Sequence, residues 1–209
     1  MTRAARRPAV LARPGARRAR RGQSLVEFAL IVPVFMMLLL GMLEFGIAFT
    51  HEQTLAYATR EGARTGAALA VGTTAYPCST ANFDAPIIAA VQRIVEASGS
   101  PVDASQVGIT IYKAKADGSS TGSENAWVYA KGGGPTVDGL ALDYKQTSSG
   151  WSPCSRTNGS PADALGVAVT YQYQFRTAFA GIFRFIGGTT WNSLTMSDHT
   201  VMNLNPTAQ

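Results

Sequence analysis

Histidine, cysteine and charge are all scarce in this 209-residue chain: two histidines, two cysteines, and 15% charged residues. His51 and His199 are far apart, and no His/Cys/carboxylate cluster has the spacing of metal ligands. There is no Gly-x-Ser-x-Gly elbow, and Gly132-Gly133-Gly134 lacks the Lys and the following helix of a phosphate-binding loop. Asp138 and Asp143 read as solvated loop carboxylates. Asn158-Gly159-Ser160 is a glycosylation pattern too short to carry weight. These gaps predict a protein that is not an enzyme and holds no metal or cofactor.

Acidic residues are missing altogether before Glu27, whereas the first 22 residues hold eight arginines: Arg3, Arg6, Arg7, Arg13, Arg17, Arg18, Arg20 and Arg21. The chain has 18 basic and 13 acidic residues, so without this leader ten basic face thirteen acidic ones. The basic character therefore belongs to the leader. Nothing downstream offers a basic surface studded with aromatics, which argues against a nucleic-acid partner. The leader has no hydrophobic period and is expected to be disordered.

Polar residues then almost vanish. From Leu25 to Phe49 the only charges are Glu27 and Glu44. As a helix this run is about 37 Å long, enough to cross a hydrocarbon core of about 30 Å with some tilt. Arginines beside a span stay in the cytoplasm, so the N-terminus is expected inside and everything after Phe49 outside. A secretory signal peptide is the rival reading, but its apolar core is shorter and ends in a small-x-small cleavage site. Pro33 removes one helix hydrogen bond and should bend the span. Gly41 and Gly46 let another helix approach closely. Glu44 is expected at the outer headgroup level, with a packing or assembly role as the alternative.

One long helix is expected from about Ser24 to Ala70. In its second half Ala58, Gly62, Gly66 and Ala70 recur every fourth position and so share a face. That stripe fits close packing either on the chain's own sheet or on a neighbouring subunit. Val71–Phe83 reads as a loop. Asp84 or Asn82 caps a helix over about Ala85–Ala97, with Ile87, Ile88, Val91, Ile94 and Val95 as its apolar face. Strands are expected at Val107–Tyr112, Ala126–Lys131, Leu165–Phe175 and Thr190–Asn203. Asp117–Asn125 reads as a loop, 131–161 as a long exposed insertion, and Ala178–Ile186 as a short helix near the membrane surface. The expected fold class is α+β: a long N-terminal helix, membrane-spanning in its first half, packed on a small antiparallel-sheet domain. Its divisions are a leader (1–22), a membrane helix (23–49), its extramembrane continuation (50–70) and a domain over 71–209. Trp127, Tyr129, Trp151 and Trp191 suit either a core or a sugar-binding face, with the core favoured.

Both cysteines, Cys78 and Cys154, fall outside the membrane on the charge reading. An even count in an oxidising compartment predicts a Cys78–Cys154 disulfide.

The segment Arg21-Gly22-Gln23-Ser24-Leu25-Val26-Glu27-Phe28-Ala29-Leu30, with Pro33, Gly41, Glu44-Phe45-Gly46 and Arg60-Glu61-Gly62-Ala63-Arg64, resembles the TadE/TadG pilin-like proteins. These belong to the tight-adherence (Flp) branch of the type IV filament superfamily. The resemblance is strong over about Arg20–Leu69 and loose beyond. It implies cleavage of the Gly22–Gln23 bond by a prepilin peptidase, with Glu27 as the glutamate at the fifth mature position. The amine exposed on Gln23 would pair with that carboxylate, within a subunit or between neighbours. A glutamate at the position of Glu44 is shared with the family. The implied protein is a minor pilin or assembly subunit of a tight-adherence pilus. It would sit single-pass in a bacterial cytoplasmic membrane, with other pilins and the pilus assembly platform as partners. The alternative is an uncleaved anchor displaying a sugar- or protein-binding domain.

Overall fold

A computed structural model describes residues 16–69, 84–177, 181 and 193–204. The described elements are helices α1 (Ala16–Ala68) and α2 (Ala85–Val95) and strands β1 (Val107–Ala114), β2 (Ser120–Tyr129), β3 (Thr136–Val137), β4 (Leu140–Ala141), β5 (Tyr144–Ser149), β6 (Ala164–Gln174) and β7 (Ser193–Asn203). The fold is α+β. The chain divides into two units, one ending at Leu43 and the other beginning at Glu44.

In the first unit α1 exposes its apolar side chains, among them Leu25, Phe28, Leu30, Ile31, Val34 and Phe35. Gly22–Ala68 contains a stretch long and apolar enough to cross a membrane, and none of its most apolar window is buried. A core helix of a soluble protein would hide that surface. Pro33 lies inside the helix.

In the second unit five strands form one antiparallel sheet in the order β5-β2-β1-β6-β7, and β3 and β4 form a separate ribbon. The central strands alternate as a half-buried sheet must. Val107, Ile109 and Ile111 of β1, with Val167, Val169, Tyr171 and Tyr173 of β6, form a core cluster with Leu55 and Ala58 of α1 and Ile87, Ile88 and Val91 of α2. A Cβ on Gly62 would come within 2.9 Å of Val91 and 3.2 Å of Val167, and one on Gly66 within 2.9 Å of Leu165 and 3.0 Å of Ile87. Gly62 and Gly66 of the small-residue stripe thus lie close against the chain's own sheet and α2. Trp127 and Trp151 are buried in the same core.

Several expectations change. Helix α1 begins at Ala16, before the expected Ser24. The second unit begins at Glu44: Ile47 and Ala48 already pack on the domain core, and His51 is buried. Ser120–Asn125, read as loop, is the first half of β2, where ladder bonds to β1 outweigh the weak strand propensity of Ser, Gly and Asn. The expected insertion over 131–161 holds β3, β4 and the sheet-edge strand β5, and it buries Leu142, Tyr144 and Trp151. Asp138 and Gly139 both have positive φ (49° and 79°), as a two-residue hairpin turn between β3 and β4 requires. The expectations for residues 1–15, Ala70, Val71–Phe83 with Cys78, the helix over Ala178–Ile186 (Gly181 apart) and Trp191 lie outside the described residues.

Candidate functional site

At the start of the span, α1 runs through Gly22 and Gln23 without a break. Gly22 is exposed, and a Cβ there would meet nothing within 4 Å. Gln23 Nε2 donates to Glu27 Oε1 at 3.2 Å, one helical turn on, and both side chains are exposed. The Glu27 carboxylate is thus already turned back toward residue 23. A Cβ on Gly46 likewise meets nothing within 4 Å, and Gly41 lies on the same helix.

One face of α1 carries Glu44, Ile47, Ala48, His51, Leu55, Ala58, Gly62 and Gly66. Their three- and four-residue spacing is what a helix needs to present a continuous stripe. Glu44 opens it, and its carboxylate is 2% exposed. Strand β6 ends at Gln174, and its alternation points Tyr173 inward. The Tyr173 hydroxyl donates to Glu44 Oε1, which also accepts the Arg176 N–H at 3.0 Å. Glu44 Oε2 accepts the Thr177 N–H at 2.9 Å. A carboxylate removed from water needs such donors on both oxygens. Burial, and then the bond to Glu44, pushes the Tyr173 phenol well above the ordinary tyrosine range, so it remains a donor. The Glu44 carboxylate is thus bonded to the end of β6 and the two residues beyond Phe175, within its own domain.

His51 sits two turns further on. Its ring stacks on Tyr171 at 5.5 Å and meets Tyr173 edge-on at 5.0 Å. Nδ1 lies 2.8 Å from the Ile47 carbonyl, which can only accept, so Nδ1 carries the hydrogen. Nε2 is buried and has no hydrogen-bond partner among the described residues. Higher on the helix, buried Thr59 donates to Asp198 at 2.5 Å and accepts from Thr200 at 3.1 Å, tying α1 to β7.

Residues 22–64 match the family model of TadE-like proteins. They form a TadE-like segment. The match covers about a fifth of the chain and takes in Gly22, Glu27, Pro33, Gly41, Glu44 and the Arg60–Arg64 turn. No curated protein and no solved structure matches the chain. The TadE-like segment thus combines two surfaces: an exposed apolar stretch with the length of a membrane anchor, and a second half that packs into the domain's core. Such an anchor, with a pilus-related family match, points to membrane and pilin partners. In its last turns Glu61 pairs with Arg64 at 2.5 Å. That bond holds the Glu61 carboxyl below the usual range.

Beyond the TadE-like segment lies a buried polar cluster that sequence reading missed. Asp84 does not cap α2 with its side chain. Its Oδ1 pairs with Arg156 Nη1 at 2.7 Å, and its Oδ2 accepts Asn125 Nδ2 at 2.6 Å. Asn125 also exchanges two bonds with the Trp151 backbone, both at 2.9 Å, and the Arg156 guanidinium lies 4.4 Å over the Trp151 ring. The partners come from three separate stretches, around residues 84, 125 and 151–156, so no local spacing announces them. The weak signal available was an arginine in a body with few cations. Two residues before Arg156, Cys154 lies in the turn Pro153–Ser155.

Among the described residues no three His, Cys, Asp or Glu side chains cluster to hold a metal. Asp143 accepts the Gly132 N–H at 2.6 Å, and the exposed Asp138 lies 4.0 Å from Arg93, so each carboxylate has a local partner.

Proposed function

We propose that the chain is a membrane-anchored, non-enzymatic pilin-like subunit, a minor pilin or assembly factor of a tight-adherence pilus. The observation that carries this reading is the TadE-like match over residues 22–64, coinciding with an exposed apolar helix headed by Gly22-Gln23 and Glu27. The arginine-rich leader holds the N-terminus in the cytoplasm and leaves the domain outside. A prepilin peptidase then cuts after Gly22. Glycine costs a helix about 1 kcal/mol relative to alanine, which eases local opening for the protease. The new Gln23 amine pairs with Glu27, and Leu25–Leu43 packs against pilin partners through its exposed apolar surface. Contact with the assembly platform follows at this step. The domain is large for a subunit whose only task is to supply a helix, which suits a minor position.

The second element is a Cys78–Cys154 disulfide. It is supported by the Asp84–Arg156 pair, which brings the chain six residues after Cys78 against the chain two residues after Cys154. The crosslink closes a loop of about 76 residues, which chain entropy values at about 4 kcal/mol. Thiol titration of the denatured chain should find free thiols only after reduction. Two free thiols before reduction would contradict the bond.

Deletion and complementation test the role. Loss of the chain should abolish or shorten surface pili, wild type should restore them, and Glu27→Ala should not. Normal piliation without the chain would overturn the reading.

A further inference from the structure

The last strand of the sheet has a free edge that the pilin reading leaves unused. β7 lies outermost in the order β5-β2-β1-β6-β7, and its eleven residues pair with β6 in unbroken register. Among the described residues its backbone makes no backbone hydrogen bond beyond those to β6. Amides and carbonyls alternate sides along a strand, so half of those of β7 face away from the sheet. Edge strands are commonly blunted by a bulge, a proline, a lysine or a short length. β7 has none of these: it reads Ser-Leu-Thr-Met-Ser-Asp-His-Thr-Val-Met-Asn. Its one carboxylate, Asp198, is turned to Thr59 of α1.

A groove runs beside this edge, within the second unit. It lies between β7 and α1, encloses about 210 Å³, and is lined by Phe45, Phe49, Glu52, Leu194, Met196 and Asp198 among others. Phe49 is 60% exposed and Leu194 49%, so the groove is open. Leu194, Met196 and Asp198 stand opposite Tyr173, Tyr171 and Val169, and so share the face of the sheet that α1 packs on. That face is apolar at Leu194 and Met196 and acidic at Asp198, with exposed Glu52 on the α1 wall. Glu52 has no ion-pair partner among the described residues. A strand laid along β7 would place every second side chain in this groove, beside those three residues in turn.

We propose that β7 accepts an extended segment of a partner protein as a sixth strand, one whose alternate side chains are basic, apolar and apolar. Running antiparallel to β7, it sets its lysine or arginine beside Asp198 and Glu52 and its two apolar side chains beside Met196 and Leu194. Main-chain bonds to the free edge supply the affinity, and the groove supplies the selection. Opposite charges on neighbouring strands attract and like charges repel, so a carboxylate at the basic position is disfavoured. The sheet's own edges do not carry this pattern: β5 reads Tyr-Lys-Gln-Thr-Ser-Ser, and β7 ends its apolar pair in an aspartate. A second copy of this chain therefore does not fit through either edge. The proposal uses the second unit alone and stands whether or not the chain is a pilin subunit.

The test uses the full chain in nanodiscs and two end-capped synthetic peptides, Thr-Lys-Thr-Val-Thr-Ile-Thr and the same peptide with glutamate in place of lysine. Hydrogen exchange read by mass spectrometry follows residues 193–203. The lysine peptide at millimolar concentration should slow exchange across β7 in a saturable way, and the glutamate peptide should bind about tenfold more weakly. Glu52→Lys should melt with the wild type and erase that preference. Protection confined to the groove side of α1, with β7 unchanged, would mean binding without strand pairing and overturn the proposal. Protection by neither peptide would overturn it as well. Equal binding of the two peptides would overturn the charge selection. β7 amides fully protected before any peptide is added would show the edge already covered, and would also overturn it.

Discussion

Replacing Glu44 by glutamine should loosen the junction between α1 and the end of β6. The carboxylate accepts four bonds: from the Tyr173 hydroxyl and the Arg176 N–H on one oxygen, from the Thr177 N–H on the other, and from the Thr177 side chain. Glutamine keeps the shape but offers one acceptor oxygen. If that oxygen faces Tyr173 and Arg176, the amide NH₂ confronts the Thr177 N–H, donor against donor. An orphaned buried donor costs about 1–3 kcal/mol, and the remaining bonds drop from charge-assisted to neutral strength. A loss of about 3 kcal/mol is expected, which lowers the melting temperature of a domain this size by about 6–12 °C. Tyr173→Phe should cost about 2 kcal/mol in the wild type and less in the Glu44→Gln background, because the two changes remove a shared bond. The assay is thermal unfolding of the detergent-solubilised full chain, together with hydrogen exchange of the Arg176 and Thr177 amides. Exchange at those two amides should accelerate in Glu44→Gln. If Glu44→Gln melts with the wild type and both amides stay protected, the carboxylate does not hold its own domain, and a role between subunits replaces the clamp.

Other outcomes follow from the same geometry. A Cβ on Gly166 would lie 2.2–2.6 Å from ring atoms of its cross-strand partner Tyr112. Gly166→Ala should therefore destabilise by about 2–3 kcal/mol, with a changed near-ultraviolet dichroism as the tyrosine moves; an unperturbed spectrum and melt would contradict it. Arg156→Met leaves Asp84 buried without its cation and should cost about 3–5 kcal/mol, much of which Asp84→Leu in the same chain recovers; equal loss in the double variant would refute the pairing. Asp117 accepts the Ser119 N–H and hydroxyl, which holds its carboxyl below the usual range. Its contribution to the turn is thus present above the unfolded carboxylate pKa of about 3.9 and fades as pH falls through the lower folded value. Side-chain NMR titration should place Asp117 below the ordinary aspartates, and an ordinary value would contradict it.

What the sequence made legible was its periodicity. The apolar helix, α2 and the alternating β6 rest on patterns of 3.6 and 2.0 that need no tertiary context, and the α+β class follows from them. β2 was half hidden because Gly122, Ser123 and Asn125 carry turn propensities that its pairing with β1 overrides. The stretch over 131–161 looked unpatterned because its buried residues, Leu142, Tyr144 and Trp151, are separated by polar edge positions. Sequence spacing could place Gly62 and Gly66 on one face without saying what faced them, since that depends on where Val91, Val167 and Leu165 arrive. The partners of Glu44 lie about 130 positions away, and those of Asp84 are 41 and 72 positions away. Polar pairs at such separations leave no local mark.

The central claim is that this helix is a processed pilin-type anchor, and the mature N-terminus tests it most directly. Intact-mass spectrometry of the protein from cells with and without their prepilin peptidase should find a chain beginning at Gln23 only when the peptidase is present. A chain retaining Met1 in both, or one cut beyond Leu43, would contradict the account and leave an uncleaved anchor or a secreted domain in its place.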